Sequence, residues 1–96
     1  MTAVPPDAVR RSVLVAGVVQ GVGFRWATAA EAERLGVAGH VRNLPDGTLE
    51  AELEGAPDAV ARMLEWLAHG PPSASVARCE VTEVEPSGER GFRIPA

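Results

Sequence analysis

The sequence contains no lysine and no tyrosine, and it has one cysteine, Cys79. All nine basic residues are therefore arginines, which excludes lysine nucleophiles and Schiff bases on lysine. A single cysteine cannot form an internal disulfide, so a reducing compartment is compatible with the chain. No stretch approaches the roughly 18 apolar residues that a membrane-spanning helix needs, and the N-terminus lacks the apolar run of a signal peptide. We therefore expect a cytoplasmic protein with no membrane partner.

A basic surplus is also absent, because 13 acidic residues against nine basic ones give a net charge of −4. Nucleic-acid binding depends on a basic footprint, so we expect no nucleic-acid partner. Hydrophobic residues make up 46% of the 96 residues, which is enough for one core and one domain. We assign residues 1–10 to a flexible N-terminal tail and residues 11–96 to that domain.

The most informative stretch runs from Val15 to Arg25 and reads Val-Ala-Gly-Val-Val-Gln-Gly-Val-Gly-Phe-Arg. It begins as a strand, turns at its glycines and brings Arg25 to the start of a helix. The first N–H groups of a helix have no intrahelical partners, and the helix dipole there attracts anions. Arg25 adds a planar set of donors that matches phosphate oxygens. This pattern predicts a phosphate cradle, a name used here for Gln20, Gly21, Val22, Gly23, Phe24 and Arg25.

The cradle differs from two better-known phosphate-binding loops. No Gly-Lys-Ser/Thr follows it, as a P-loop would require, and its glycines lack the spacing of a Rossmann turn.

Hydrophobic periodicity predicts the order β-α-β-β-α-β with a short fifth strand. The predicted helices cover residues 24–35 and 57–68, and the predicted strands cover residues 12–18, 37–43, 48–54, 76–84 (with a bulge) and 91–94. Two right-handed crossovers would place both helices on one face of an antiparallel sheet, which is the ferredoxin-like α+β sandwich. Strict alternation predicts that three glutamates of the third strand face solvent: Glu50, Glu52 and Glu54. Trp26 and Trp66 are interpreted as packing residues.

Two stretches of this sequence resemble the two signatures of the acylphosphatases. Gly17 to Arg25 reads Gly-Val-Val-Gln-Gly-Val-Gly-Phe-Arg, and Gly39 to Gly47 reads Gly-His-Val-Arg-Asn-Leu-Pro-Asp-Gly. The resemblance extends over most of the chain and implies the ferredoxin-like fold. It also implies a small stand-alone hydrolase that cleaves the carboxyl–phosphate bond of acyl phosphates. In that family's pattern Arg25 binds the phosphoryl group, Asn43 orients the attacking water, and the cradle supplies backbone donors.

This chemistry requires few groups. A carboxylate has a pKa of about 4, so it leaves without being protonated. What remains is to meet the charge on the phosphoryl oxygens and to orient one water molecule. We therefore expect no cofactor and no metal, since His40, His69 and Cys79 show no metal-ligand spacing. We expect a monomer whose partner is a small-molecule acyl phosphate.

Two other functions stay open at this point. Larger maturation and carbamoyl-transfer proteins carry an acylphosphatase-like domain, so the alternative is a non-catalytic phosphate-binding or acyl-phosphate-binding module. Turnover would separate the two, since both would bind phosphate. An RNA-binding module on the same fold would need aromatic residues on the open face of the sheet, where this sequence places glutamates.

Overall fold

The computed structural model describes residues 7–95, which form five strands and two helices. The elements are β1 Val9–Val18, α1 Phe24–Leu35, β2 Ala38–Asn43, β3 Leu49–Gly55, α2 Pro57–His69, β4 Ser75–Val84 and β5 Phe92–Arg93. This order confirms the predicted ferredoxin-like α+β fold. Neither helix in the described range is long and apolar enough to cross a membrane.

The strands lie in the order β4-β1-β3-β2-β5. The pairs among β1 to β4 are antiparallel, as predicted, but β5 runs parallel to β2. The prediction of a wholly antiparallel sheet was wrong in this respect. The chain leaves β4 at one end of the sheet and turns back once. β5 therefore runs in the opposite direction to β4, and this direction is the same as that of β2.

Both helices cover one face of the sheet. That face carries fully buried residues of three strands, and the helices place their own apolar stripes against it. The stripe of α1 repeats every fourth residue, through Phe24, Thr28 and Ala32, and that of α2 consists of Val60, Met63 and Leu67. The core strand residues are Val13, Val15, Val41, Leu49, Ala51 and Leu53.

The structure corrects two predictions, one about where β1 begins and one about the face of the sheet opposite the helices. β1 begins at Val9, so Val9 and Arg10 belong to the sheet and not to the predicted tail; residues 1–6 lie outside the described range. Glu54, predicted to face solvent, is only 2% exposed. The physical reason is the register of β1 on β3, which sets Arg10 opposite Glu54.

Arg10 is the centre of a buried ionic cluster on this face. Its guanidinium donates to Glu52 at 2.8 Å, to Glu54 at 2.8 Å and to Glu89 at 2.9 Å. The backbone N–H groups of Ser87 and Gly88 also donate to the Glu54 carboxylate. The connection between β4 and β5 is thereby held over the end of the sheet, and it shields Glu54 from water.

The predicted bulge of β4 is confirmed and lies where β1 approaches the cradle. Ala16 pairs with Arg78 and Gly17 pairs with Val76, so Ala77 is the extra residue of β4. A Cβ on Gly17 would lie 2.2 Å from the carbonyl oxygen of Ser75. Gly17 therefore serves the close approach of these two strands.

The two tryptophans have different environments. Trp66 packs edge-on against Phe24, with ring centroids 5.7 Å apart. Trp26 is 73% exposed, so its interpretation as a packing residue was wrong. Successive helical residues are about 100° apart, so Trp26, two residues after the buried Phe24, falls on the opposite side of α1 from the core.

Candidate active site

The cradle connects the end of β1 to the first turn of α1. Gly21 and Gly23 adopt left-handed backbone angles, with φ of 73° and 77°, which glycine accepts without steric penalty. Gly23 is the N-cap residue of α1, and no side chain caps this helix end. The N–H of Ala27 bonds to the Gly23 carbonyl, so the N–H groups before Ala27 precede the first intrahelical hydrogen bond. They form an open set of donors at the positive end of the helix dipole.

Arg25 is the second residue of α1 and is partly buried. Within residues 7–95 its guanidinium forms neither an ion pair nor a hydrogen bond, in contrast to those of Arg10, Arg11, Arg34, Arg42, Arg78 and Arg93. A guanidinium without a carboxylate partner, beside an uncapped helix start, can bind a phosphoryl group with both its charge and its paired donors.

Asn43 ends β2 on the face of the sheet that the helices cover. It pairs with Leu49, and its strand neighbour two residues earlier, Val41, is fully buried on that face. The Asn43 Oδ1 atom is the one buried side-chain polar atom in the described chain without a hydrogen-bond partner. An unsatisfied buried acceptor costs about 1–3 kcal/mol. Such an acceptor is suited to receive a hydrogen bond from a water molecule.

Gln20 joins the cradle to the turn that follows Asn43. Its Nε2 atom donates to the Leu44 carbonyl at 2.8 Å and to the Thr48 carbonyl at 2.9 Å. The turn itself is braced, because Asp46 Oδ1 accepts hydrogen bonds from both the hydroxyl and the N–H of Thr48. These bonds from Thr48 hold the pKa of Asp46 below its ordinary value. The two signature stretches, which are separate in the sequence, are thus connected by one side-chain amide.

The remaining cradle residues, Val22 and Phe24, direct their side chains towards the core and leave only their backbone groups for an anion. Phe24 is 1% exposed and belongs to the core, so its side chain is directed away from an anion at the helix start. Val22 packs partly against the same core. Its carbonyl accepts a 2.7 Å hydrogen bond from Ser73 Oγ. Sequence reasoning missed this second brace, because a contact across 51 positions leaves no local pattern.

A group of possible metal ligands lies on the other face of the sheet. The side-chain nitrogen and oxygen atoms of His40, Glu50 and Glu52 that could bind a metal lie within 4.8 Å of one another, because β2 pairs His40 with Glu52. No local sequence pattern predicts this group, since its members come from two strands. Arg42 binds Glu50 at 2.8 Å, and Arg10 binds Glu52 at 2.8 Å. These carboxylates are therefore engaged by arginines, and they are on the opposite face from Asn43.

Comparison with known proteins gives consistent matches over most of the chain. A family model described as Acylphosphatase matches residues 11–94. An acylphosphatase from Thermococcus kodakarensis is 52% identical over 86 residues, which cover 90% of this chain and 94% of that protein. The structure of an acylphosphatase from Coxiella burnetii has a TM-score of 0.91 at 35% identity, covering 99% of this chain and 100% of that chain. HypF from T. kodakarensis also matches, with a TM-score of 0.80 at 31% identity, but over 12% of its own chain.

Proposed function

This chain belongs to the acylphosphatase family, hydrolases of small-molecule acyl phosphates, and from that premise we propose how its residues perform the hydrolysis. Arg25 and the backbone N–H groups of the cradle hold the phosphoryl group, and Asn43 orients the attacking water. The observation that carries this proposal is the start of α1: it is uncapped, and the arginine in its first turn has no partner in the described chain. Both features favour a bound anion at this position.

The reaction follows from these positions. The water oxygen forms a bond to phosphorus while one of its hydrogens is donated to Asn43 Oδ1. The bond between phosphorus and the acyl oxygen breaks, and its electron pair leaves with the carboxylate. An amide is not a base, so the proton lost by water goes to the phosphate product or to solvent. Arg25 and the N–H groups stabilise the charge on the phosphoryl oxygens throughout.

We propose that no metal ion takes part in this step. Arg25 supplies a permanent positive charge, since a guanidinium does not lose its proton at working pH. The carboxylate leaves unprotonated, so neither a Lewis acid nor a general acid is required. Activity in the presence of a chelator tests this point.

The test is phosphate release from benzoyl phosphate, with chelator present, by the wild type and three variants. Arg25→Gln should lower kcat/KM at least about 100-fold, because charge-assisted hydrogen bonds are worth roughly 1.5–3 kcal/mol each. Asn43→Ala should lower kcat on the order of 10²–10³-fold with a small change in KM. Arg62→Gln is the matched control, since Arg62 is an exposed arginine of α2, and it should keep wild-type rates.

The alternative function is a non-catalytic module that binds phosphate or acyl phosphates. The match to a small part of HypF is what favours it, because a domain of this fold exists inside a larger protein. Phosphate binding by the wild type without turnover of any acyl phosphate would establish this alternative and refute the catalytic roles of Arg25 and Asn43.

We further propose that the protein acts as a monomer in the cytoplasm and without a nucleic-acid partner. The net charge of −4 supports the last point, because nucleic-acid binding needs a basic surface. Light scattering at micromolar concentration tests the monomer. Binding of labelled RNA at low salt would contradict the absence of a nucleic-acid partner.

A further inference from the structure

Trp26 is the most exposed of the large apolar side chains in the described chain, at 73%. Its indole lies outside the core cluster, in contrast to Trp66, which packs against it. Helix propensity does not explain the residue either, since tryptophan is a weaker helix former than alanine or arginine. A large aromatic surface is thus left in water at a position where neither packing nor helix formation requires it.

The position of Trp26 is next to Arg25, in the first turn of α1. Side chains on a helix lean towards its N-terminus and cover the turn that precedes their own Cα. Trp26 is the third residue of α1, so no complete helical turn precedes it. We therefore expect the indole to lean towards the cradle, at the end of the helix where the phosphoryl group is expected.

The acyl group of a bound substrate must lie on the outer side of the cradle. The phosphoryl oxygens point towards the N–H groups of the cradle, and the leaving carboxylate departs opposite the attacking water. Because the rest of the substrate is attached to that carboxylate, it extends from the cradle towards solvent, where Trp26 offers an apolar surface.

We propose that Trp26 determines specificity by packing its indole against the acyl group. Acyl phosphates with flat aromatic or large apolar acyl groups would then be favoured over those with small acyl groups. This inference rests on the proposed function. Aromatic pairs contribute beyond their buried area, and stacking on an exposed aromatic side chain tolerates many flat partners.

The experiment compares steady-state hydrolysis of benzoyl phosphate and acetyl phosphate by the wild type, Trp26→Ala and Trp26→Phe. Trp26→Ala should raise KM for benzoyl phosphate about 2- to 10-fold, with kcat unchanged, since a contact made equally in the ground and transition states affects KM alone. KM for acetyl phosphate should change by less than about twofold on the same reasoning. Trp26→Phe should restore most of the preference. Val81→Ala removes another exposed apolar side chain, on β4, and should leave KM for both substrates unchanged.

A binding measurement separates failure of this inference from failure of the proposed function. Phenacylphosphonate and acetonylphosphonate carry a methylene in place of the bridging oxygen, so they bind without being hydrolysed. If the wild type hydrolyses both substrates and Trp26→Ala changes the two KM values equally or not at all, the specificity role is refuted and the proposed hydrolase function is retained. If the wild type hydrolyses neither, the hydrolase fails. In that case, a loss of affinity for phenacylphosphonate but not for acetonylphosphonate in Trp26→Ala would still support the acyl contact. An equal change in the two affinities, or no change, would refute it.

Discussion

The side-chain amide of Gln20 donates a 2.8 Å hydrogen bond to the backbone carbonyl of Leu44, the residue after Asn43. Its second acceptor, the Thr48 carbonyl, lies at the other end of the same turn. Gln20, the first residue of the cradle, is therefore hydrogen-bonded to the turn that follows Asn43. We therefore expect Gln20 to act as a positioning residue, because its Nε2 atom donates to two backbone carbonyls.

Gln20→Ala should lower kcat about 10- to 100-fold with a smaller effect on KM. The reason is that displacing a catalytic group by about 1 Å can cost 100-fold in rate, whereas Arg25 and the helix N–H groups remain available for binding. The free energy of unfolding should fall by about 1–3 kcal/mol, because two carbonyls lose a donor. Kinetics with benzoyl phosphate and urea unfolding measure both effects. A wild-type kcat in a destabilised variant would show that Gln20 only holds the fold.

Gly23→Ala and Gly36→Ala form a matched pair at the two ends of α1. Both glycines are left-handed, with φ of 77° and 73°, and a Cβ on either would meet no atom within 4 Å. Each substitution should therefore cost a similar backbone strain of about 1–2 kcal/mol. Relief of this strain at residue 23 would rotate the backbone and turn a cradle N–H away from the anion. Only Gly23→Ala should therefore raise KM for benzoyl phosphate, by about 10-fold or more for loss of one strong hydrogen bond. Urea unfolding and kinetics of both variants check this, and equal activity losses would contradict it.

The elements around the site were predictable because their signals are local. The alternation of β3, the four-residue repeat of Phe24, Thr28 and Ala32, and the glycines of the cradle depend on near neighbours in the chain. The ionic cluster of Arg10 was not predictable in this way. Its partners come from β3 and from the β4–β5 connection, so the pattern of β3 alone placed Glu54 in solvent.

The environments of Trp26 and Asn43 were likewise not predictable from local sequence patterns. The sequence motif predicts a role for Asn43, and Trp26 was interpreted as a packing residue, but the environment of each side chain depends on the register of β2 and on the packing of α1. That Asn43 Oδ1 is buried without a donor follows from the packing of β2 under the helices. Trp26 is exposed because it lies two residues, about 200° around the helix, from the buried Phe24.

Arg10→Gln should destabilise the protein by about 3–5 kcal/mol, because removing one partner of a buried ion pair leaves uncompensated buried charge. The side chains of Arg10 and Glu54 are 8% and 2% exposed. Arg34→Gln is the control, since the Arg34 side chain is 66% exposed and its pair with Glu31 lies on the helix surface. That change should have little effect on the free energy of unfolding, because exposed ion pairs are screened by solvent. Urea unfolding at pH 7 measures both, and similar losses in the two variants would show that the buried cluster is no stronger than a surface pair.

The stability conferred by Arg10 should also depend on pH in a defined direction. Burial alone would raise the pKa of Glu54, but hydrogen bonds from the Ser87 N–H, Arg10 and the Gly88 N–H outweigh it and hold that pKa below its ordinary value of 4.5. The pKa of Glu89 is likewise lowered, chiefly by its hydrogen bond with Arg93. A carboxyl group whose pKa is lower in the folded state stabilises the fold above its ordinary pKa, and this stabilisation is lost as the pH falls through the lowered value.

The wild type should therefore lose stability to urea as the pH is lowered from 5 to 3, values that bracket the ordinary glutamate pKa of 4.5. The difference between the wild type and Arg10→Gln should be largest above pH 5 and should narrow below pH 4. Protonation of the carboxylates removes the ion pairs that stabilise the wild type. In the variant, protonation removes the uncompensated buried negative charges that destabilise it, so the two free energies of unfolding approach each other. Urea midpoints of both proteins across this range measure the difference. A constant gap would mean that Arg10 stabilises the sheet by packing its aliphatic stem rather than by its charge.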